Sequence, residues 1–452
     1  MDDVTQEQAE SHVGSRPNVV VIIADDLGYA DVGFNGLTEF GTPHIDRIAS
    51  GGIVFTNGYV TAAVCGPSRA GLITGRYQDR FGSSINPTVN PAVPNGVPTT
   101  ERTLAEMLGP AGYESMAVGK WHLGTYPGLQ PRDRGFDEFY GFLSGGHDYF
   151  AESLTLEDLS AVSERWAWYR TKLLHNGERV KTSEYLTDEL SDAAVEFIDR
   201  DRGDDEPFFL YLAYNAPHTP MQATDAKLAE FASIEPERRR TYAAMVSSMD
   251  DGIGRVLDAL DRRGIEENTI VFFLSDNGGA RNNASSNEPL RGHKSTPYEG
   301  GLRVPFAVRW PAALPAGERY DLPVSSLDIA ATLVAAAGSD SEATLFADKP
   351  LDGVDVVPFL DGTLADAPHD RLFWRWHGRE EAAARVGDRK IIRNTGGEPW
   401  LEVYDLAADL AETTNLGSDA QSDAIGGELD SWEEQMVPPA YPGLGSWFPP
   451  KP

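Results

Sequence analysis

Val19-Val20-Val21-Ile22-Ile23-Ala24-Asp25-Asp26 is the stretch on which the reading of the fold turns. Its apolar residues run without alternation and are mostly β-branched, which reads as a short strand buried on both faces. The pattern returns at Ser115-Met116-Ala117-Val118, at Phe208-Phe209-Leu210-Tyr211-Leu212-Ala213 and at Thr269-Ile270-Val271-Phe272-Phe273-Leu274. Between these lie helical segments. Leu186, Leu190, Ala194 and Phe197 form one apolar stripe, Thr103 and Glu106 stand at capping-box spacing, and a longer helix is expected from about Arg239 to Arg262. Buried strands alternating with helices specify an α/β fold, with a mostly parallel central sheet and helices on both faces.

Ligands of such sheets collect at the carboxyl ends of the strands, so the residues just past each strand carry the functional reading. Asp25 and Asp26 repel each other unless a cation lies between them, and calcium or magnesium prefers such oxygen ligands; a helix cap or solvated turn is the plainer alternative. Asp276-Asn277 followed by Gly278-Gly279 offers an acid and an amide oxygen to a hard cation, with glycines for a tight turn beneath it. In Gly119-Lys120-Trp121-His122-Leu123-Gly124, an extended chain would put Lys120 and His122 on one side, a cation and an imidazole aimed together at an anionic leaving group. A surface lysine and a core histidine are the alternatives. His218 ends the fourth such segment, Asn215-Ala216-Pro217-His218.

The only cysteine opens Cys65-Gly66-Pro67-Ser68-Arg69-Ala70-Gly71-Leu72-Ile73-Thr74-Gly75-Arg76. Pro67 suits the first turn of a helix and Gly75 a left-handed end, so Cys65 sits at a helix N-terminus, where free N–H groups and Arg69 favour an anion and the thiol is expected to be reactive. The string resembles the signature Cys-x-Pro-Ser-Arg-x-x-Leu-x-Thr-Gly of the formylglycine-dependent (type I) sulfatases, members of the alkaline phosphatase superfamily. Gly119 to Gly124 matches that family's Gly-Lys-Trp-His-Leu-Gly element. Gly292-His293-Lys294 and Glu299 to Pro305 resemble its Gly-x-Lys and Glu-Gly-Gly-x-Arg-Val-Pro elements. The likeness runs from about residue 17 to 310, and more weakly through Leu401 to Leu416.

The resemblance implies an alkaline phosphatase-like fold and a sulfatase that hydrolyses sulfate monoesters, of a sulfated sugar or another sulfate ester. Cys65 would be oxidised to formylglycine by a formylglycine-generating enzyme, and one hydroxyl of its hydrate would attack sulfur. Asp25, Asp26, Asp276 and Asn277, with the group made from Cys65, would hold one Ca2+. Arg69 would steady the modified side chain and Lys120 and Lys294 would neutralise sulfate oxygens. His218 would protonate the leaving alcohol, and His122 would take a proton from the second hydroxyl so that sulfate is eliminated. Glu299 and Arg303 are expected to be structural. A phosphodiesterase or phosphonate monoester hydrolase of the same superfamily, and an inactive protein that binds sulfated glycans, are the alternatives.

The formal net charge of −32 argues against partners such as nucleic acid or an anionic membrane surface. A sulfate ester must therefore be met by a local cationic pocket in a repelling field. Only eight of the 38 basic residues are lysines, a bias that fits either a salt-rich habitat or genomic base composition. No apolar run approaches a membrane span, and Met1 to Gln8 show no signal peptide; the chain reads as cytoplasmic as written, or periplasmic or secreted if a leader has been removed. Residues 16–365 are expected to form the catalytic domain. Residues 366–452, with strand-like runs at Leu372 to Trp376, Ala383 to Val386 and Lys390 to Ile392 and a helix near 419–434, form a small α+β domain with an antiparallel sheet. Arg132, Arg134, His147, Asp148, Trp166, Trp168 and Arg170 lie in a loop-rich region that is either a sugar-binding wall or ordinary core.

Overall fold

The computed structural model describes residues 16–150, 173–203, 206–338, 348–376, 380–396 and 399–442. Trp166, Trp168 and Arg170 lie outside them. In chain order the strands are β1 (Asn18–Ala24), β2 (Ile53–Phe55), β3 (Gly58–Tyr59), β4 (Glu114–Lys120), β5 (Glu138–Phe142), β6 (Leu174–His175), β7 (Glu178–Arg179) and β8 (Phe208–Ala213). They continue with β9 (Thr269–Ser275), β10 (Phe306–Arg309), β11 (Glu318–Tyr320), β12 (Val324–Ser325), β13 (Arg371–Trp376), β14 (Glu381–Val386), β15 (Arg389–Asn394) and β16 (Trp400–Asp405). A ten-stranded sheet runs β11-β2-β10-β9-β1-β8-β4-β5-β6-β7. Its central strands, β9, β1, β8, β4 and β5, are parallel neighbours, and β10 runs antiparallel to β9.

The unbroken apolar run of β1 is explained by two cores. Val20, Ile22 and Ala24 face helices Pro43–Ser50, Leu186–Ile198 and Glu237–Arg263, while Val19, Val21 and Ile23 face helices Cys65–Thr74, Leu104–Leu108 and Asp328–Ala336. Each residue from Val19 to Ala24 is therefore buried whichever way it points. The parallel register then fixes what emerges at the rim. Ala24 pairs with Ser275, Ile23 with Ala213 and Gly119 with Ala213, so the residues after β1, β9, β8 and β4 leave the sheet side by side.

One expectation fails in its geometry. The segment from Lys120 to His122 is not extended, because β4 ends at Lys120 and His122 turns left-handed, with φ of 57°. Trp121 enters the core between them, so a turn, and not strand alternation, sets the direction of His122.

The C-terminal strands form an antiparallel sheet in the order β13-β14-β15-β16. One face carries Phe373, Ala384 and Val403 against Ile425, Leu429 and Trp432 of helix Ala420–Glu433. The other carries Leu372, Trp374, Ile392 and Tyr404 against Tyr59 of β3, which pairs with β12 in a separate two-stranded sheet, and against Leu302. At that seam Lys390 Nζ is 2.8 Å from Glu299 Oε1 and 2.9 Å from Glu412 Oε1, all three side chains fully buried. Removing the cation would strand two carboxylates in a dry interface. Lys390→Met is therefore expected to cost about 3–5 kcal/mol of stability, read as a lowered midpoint in urea unfolding; an unchanged midpoint would contradict this account of the seam.

Candidate active site

The helix that opens with Cys65 is buried along its whole length, which is why its polar residues must be paired inside the protein. Its end is closed by Gly75 at φ 64°, a conformation that suits glycine, with the Gly75 N–H donating to Gly71 O. At its start the Gly66 N–H donates to Asn86 Oδ1 at 2.8 Å, so this N–H is already committed and not open to an anion.

Cys65 is 1% exposed. Burial pushes its thiol up to about 12; Asp276 and Asp25 act in the same sense, against Lys120 and Lys294. The reactive thiol expected at a helix N-terminus is thus corrected: desolvation, with the nearby carboxylates, outweighs Lys120 and Lys294. Sγ lies 3.0 Å from Lys294 Nζ and 3.7 Å from Asp25 Oδ1.

Around it the strand ends deliver charges in opposed pairs. Lys120 Nζ donates to Asp25 Oδ2 at 2.6 Å, Lys294 Nζ to Asp26 Oδ1 at 2.6 Å, and Arg69 Nε to Asp276 Oδ2 at 2.8 Å. Arg69 Nη1 donates to Lys120 O at 3.0 Å, while its Nη2, 3.9 Å from Asp25 Oδ2, has no hydrogen-bond partner among the described residues. Burial would raise Asp25, but Lys120, His218 and Arg69 hold it below the usual carboxylate range. Asp276, by contrast, is raised to about 6 by burial and by the charge of Asp25.

His218 Nδ1 lies 2.6 Å from Thr219 O; because a carbonyl only accepts, Nδ1 carries the proton and Nε2 is left facing Asp26 Oδ2 at 3.7 Å. Burial holds His218 below its ordinary pKa against the pull of Asp25 and Asp26. Burial, then Lys120 and Arg69, hold His122 well below its ordinary value, so it is a neutral imidazole.

A hard cation fits this donor set. Asp25, Asp26 and Asp276 crowd one rim, and Asn277, fully buried, gives its Nδ2 hydrogens to Asp26 Oδ1 at 2.7 Å and Gly278 O at 3.0 Å. Its Oδ1 has no hydrogen-bond partner among the described residues, an orphaned acceptor that a cation would satisfy. Asp25, Asp26, Cys65 and His218 each place a ligand atom within 4.8 Å of the others. Sulfur is a poor partner for such a cation, whereas an oxygen in its place would suit it.

All ten site residues read from the sequence are thus buried together or half-buried at one rim. Arg134 is not part of any sugar-binding wall: it is 1% exposed and its guanidinium donates to Val97 O at 2.7 Å and Glu101 O at 2.6 Å. Sequence reading passed over Asn86, and also Tyr149, whose hydroxyl reaches the carbonyls of Asn215 at 2.6 Å and His218 at 2.8 Å. Neither sits in a motif; an asparagine or tyrosine in a loop has no pattern that distinguishes it from a surface one.

The fold and this rim define an α/β protein of the alkaline phosphatase-like architecture. A family model described as Sulfatase matches residues 17–339, and the chain belongs to the sulfatase family. A second model, described as N-sulphoglucosamine sulphohydrolase, C-terminal, matches residues 293–437. N-acetylgalactosamine-6-sulfatase of Sus scrofa is 34% identical over 402 residues, covering 85% of this chain and 73% of the relative. The uncharacterized sulfatase YdeN of Escherichia coli K12 is 32% identical, covering 84% and 73%. The crystal structure of Ps i-CgsB in complex with k-i-k-neocarrahexaose is 38% identical, with a TM-score of 0.87 over 94% of this chain and 95% of that one. The phosphonate monoester hydrolase of Agrobacterium radiobacter, 20% identical at a TM-score of 0.63 over 93% and 95% of the two chains, shares the fold. The protein is a sulfuric ester hydrolase.

The burial of Cys65 predicts that iodoacetamide leaves the unmodified thiol of the folded protein untouched at pH 8 and alkylates it once the chain is denatured. Rapid labelling of the folded protein, followed by mass spectrometry, would contradict the burial described here.

Proposed function

We propose that the protein removes sulfate from a sulfated carbohydrate, through formylglycine made from Cys65 and a calcium ion held by Asp25, Asp26, Asp276 and Asn277. The observation that carries this reading is the placement of Cys65. The one cysteine of the signature, buried as a thiol, stands against Lys294 and Asp25 at the rim that also carries Asp26, Asp276 and Asn277, the last with an unsatisfied Oδ1. A buried thiol with a pKa of about 12 is no nucleophile at neutral pH, and oxidation to an aldehyde gives the position a use.

Hydrated formylglycine supplies a hydroxyl nucleophile and a second hydroxyl through which sulfate leaves without attack by water; calcium supplies positive charge to the sulfate oxygens. The remaining work falls to side chains already in place. Arg69, fixed by Asp276 and the Lys120 carbonyl, directs its free Nη2 toward Asp25 and steadies negative charge there. Lys120 and Lys294 exchange part of their pairing with Asp25 and Asp26 for the sulfate oxygens, so charge that develops in the transition state meets preset cations. His218, protonated at Nε2 as well as at Nδ1, gives the Nε2 proton to the departing sugar oxygen and returns to its neutral Nδ1–H form. His122, kept neutral by burial and then by its cationic neighbours, accepts the proton released as sulfate departs.

The carbohydrate class is supported by the likeness to Ps i-CgsB, solved with a neocarrahexaose, and to N-acetylgalactosamine-6-sulfatases. The test is sulfate release from carrageenan-type and galactosamine-sulfate oligosaccharides, alongside an aryl phosphate, by protein produced with a formylglycine-generating enzyme. Sulfate release with an aldehyde mass at residue 65 is expected; faster phosphate hydrolysis, or full turnover with an intact thiol, would overturn the reading. Cys65→Ala should abolish turnover and leave the melting temperature unchanged, as measured by calorimetry.

Chelation should remove activity and added calcium restore it. Asn277→Ala should raise the calcium needed for half-maximal activity at least about tenfold. An unchanged calcium titration would exclude Asn277 as a ligand.

A further inference from the structure

Asn283 lies in the asparagine-rich loop after β9, is fully buried, and is used by none of the steps above. Its Nδ2 donates to two carbonyls, Asp26 O at 3.0 Å and Pro217 O at 3.2 Å. Its Oδ1 accepts from Ser285 N at 3.1 Å, which fixes which end of the amide faces the carbonyls. One side-chain amide therefore spans the turn after β1 and the turn after β8, each at a residue beside or within the reacting set. Asp26 adopts φ of 63°, a left-handed backbone for which an L-residue is strained, so its carbonyl is turned away from the path an ordinary strand end would take. Among the described residues, the direct backbone tie between the two turns is Asp25 N to Ala216 O at 3.0 Å. The second tie, through Asn283, is the one that reaches Pro217, next to His218.

We propose that Asn283 is a positioning residue that sets His218 Nε2 for proton transfer to the leaving oxygen, by clamping the Pro217 carbonyl to that of Asp26. The proposal rests on the reading of His218 as the proton donor. In that step a new S–O bond would form to the hydroxyl at residue 65 as the S–O bond to the leaving oxygen breaks, the electron pair of the broken bond stays on the leaving oxygen, and a proton carried at Nε2 by the His218 imidazolium neutralises it, returning the ring to its neutral Nδ1–H form. Tyr149 holds the same turn from the other side, at Asn215 O and His218 O, so loss of Asn283 should let the turn pivot and not collapse.

The test uses aryl sulfates whose phenols differ in basicity but little in shape. A good leaving group such as 4-nitrophenolate departs without a proton, whereas phenolate needs one. Asn283→Asp keeps the size and the acceptor for Ser285 N but turns a carboxylate on two carbonyl oxygens. In the mature, calcium-loaded enzyme it should lower kcat for phenyl sulfate about tenfold more than for 4-nitrophenyl sulfate, with KM little changed. His218→Ala should show the same selective loss, and the double variant should be no more selective than His218→Ala alone. A uniform loss across the series, no loss, or additivity in the double variant overturns the assignment of Asn283. A His218→Ala enzyme with no leaving-group selectivity removes the proton-donor reading itself, and the proposal with it. If Asn283→Asp does not fold, as judged by its melting curve, Asn283→Ser is measured in the same series and against the same outcomes.

Discussion

Three carboxylates and three cations held out of water at one rim of the sheet are the constraint on which the rest of the structure depends. Each acid has a cation within hydrogen-bond reach: Asp25 has Lys120, Asp26 has Lys294 and Asp276 has Arg69. Pairing alone does not satisfy the set, because Asp276 remains raised to about 6 and Asn277 Oδ1 remains without a donor. An ion pair in a dry site is sustained by further partners on the remaining lone pairs. Here those are the missing terms, and they are of the kind a divalent cation and an anionic substrate bring together. The negative net charge of the chain makes this arrangement more demanding, since sulfate must find its positive partners entirely within the pocket.

The sheet is what lets such charges be brought together. Parallel strands in register end at one level, so their next residues meet without any long-range search by loops. Burial of the side chains from Val19 to Ala24 in one core or the other makes a slip of the strand costly, since Asp25 and Asp26 would be drawn into the apolar layers.

This is also why so much was legible from the chain. The run Val19 to Ala24 announces burial on both faces, and a polar pair directly after it has to lie at the sheet's edge. Cys65, Arg69 and Lys120 are recognisable because the chemistry needs those residue types at fixed spacing. The errors came where direction is set by tertiary contacts. His122 joins the site through a left-handed turn while Trp121 is drawn into the core, and the Cys65 thiol responds first to its burial and then to charges distant in sequence. Asn86, Tyr149 and Asn283 were illegible for a related reason: each acts through main-chain atoms of another segment, and that partnership leaves no trace in local pattern.

The C-terminal sheet belongs to the same construction. Lys294 sits in a segment that begins at Arg291, whose Nη1 donates to Tyr404 OH at 2.7 Å and to Glu412 O at 2.8 Å. The segment continues to Glu299, whose N–H donates to Glu412 Oε2 at 2.7 Å, and Gly300 N returns to Arg291 O at 2.7 Å. Gly278, directly after the Asp276-Asn277 pair, donates to Gly301 O at 3.0 Å, and a Cβ there would lie 1.9 Å from Gly300 O. The chain that presents Lys294 is therefore the floor on which the Asp276-Asn277 turn rests, and β16 with the segment after it braces that floor from behind. The two family matches overlap across residues 293–339, the stretch in which this brace meets the large sheet. A small sheet that contributes no reacting group thus helps fix the distance between Lys294 and Asp26, and with it the charge balance at the rim.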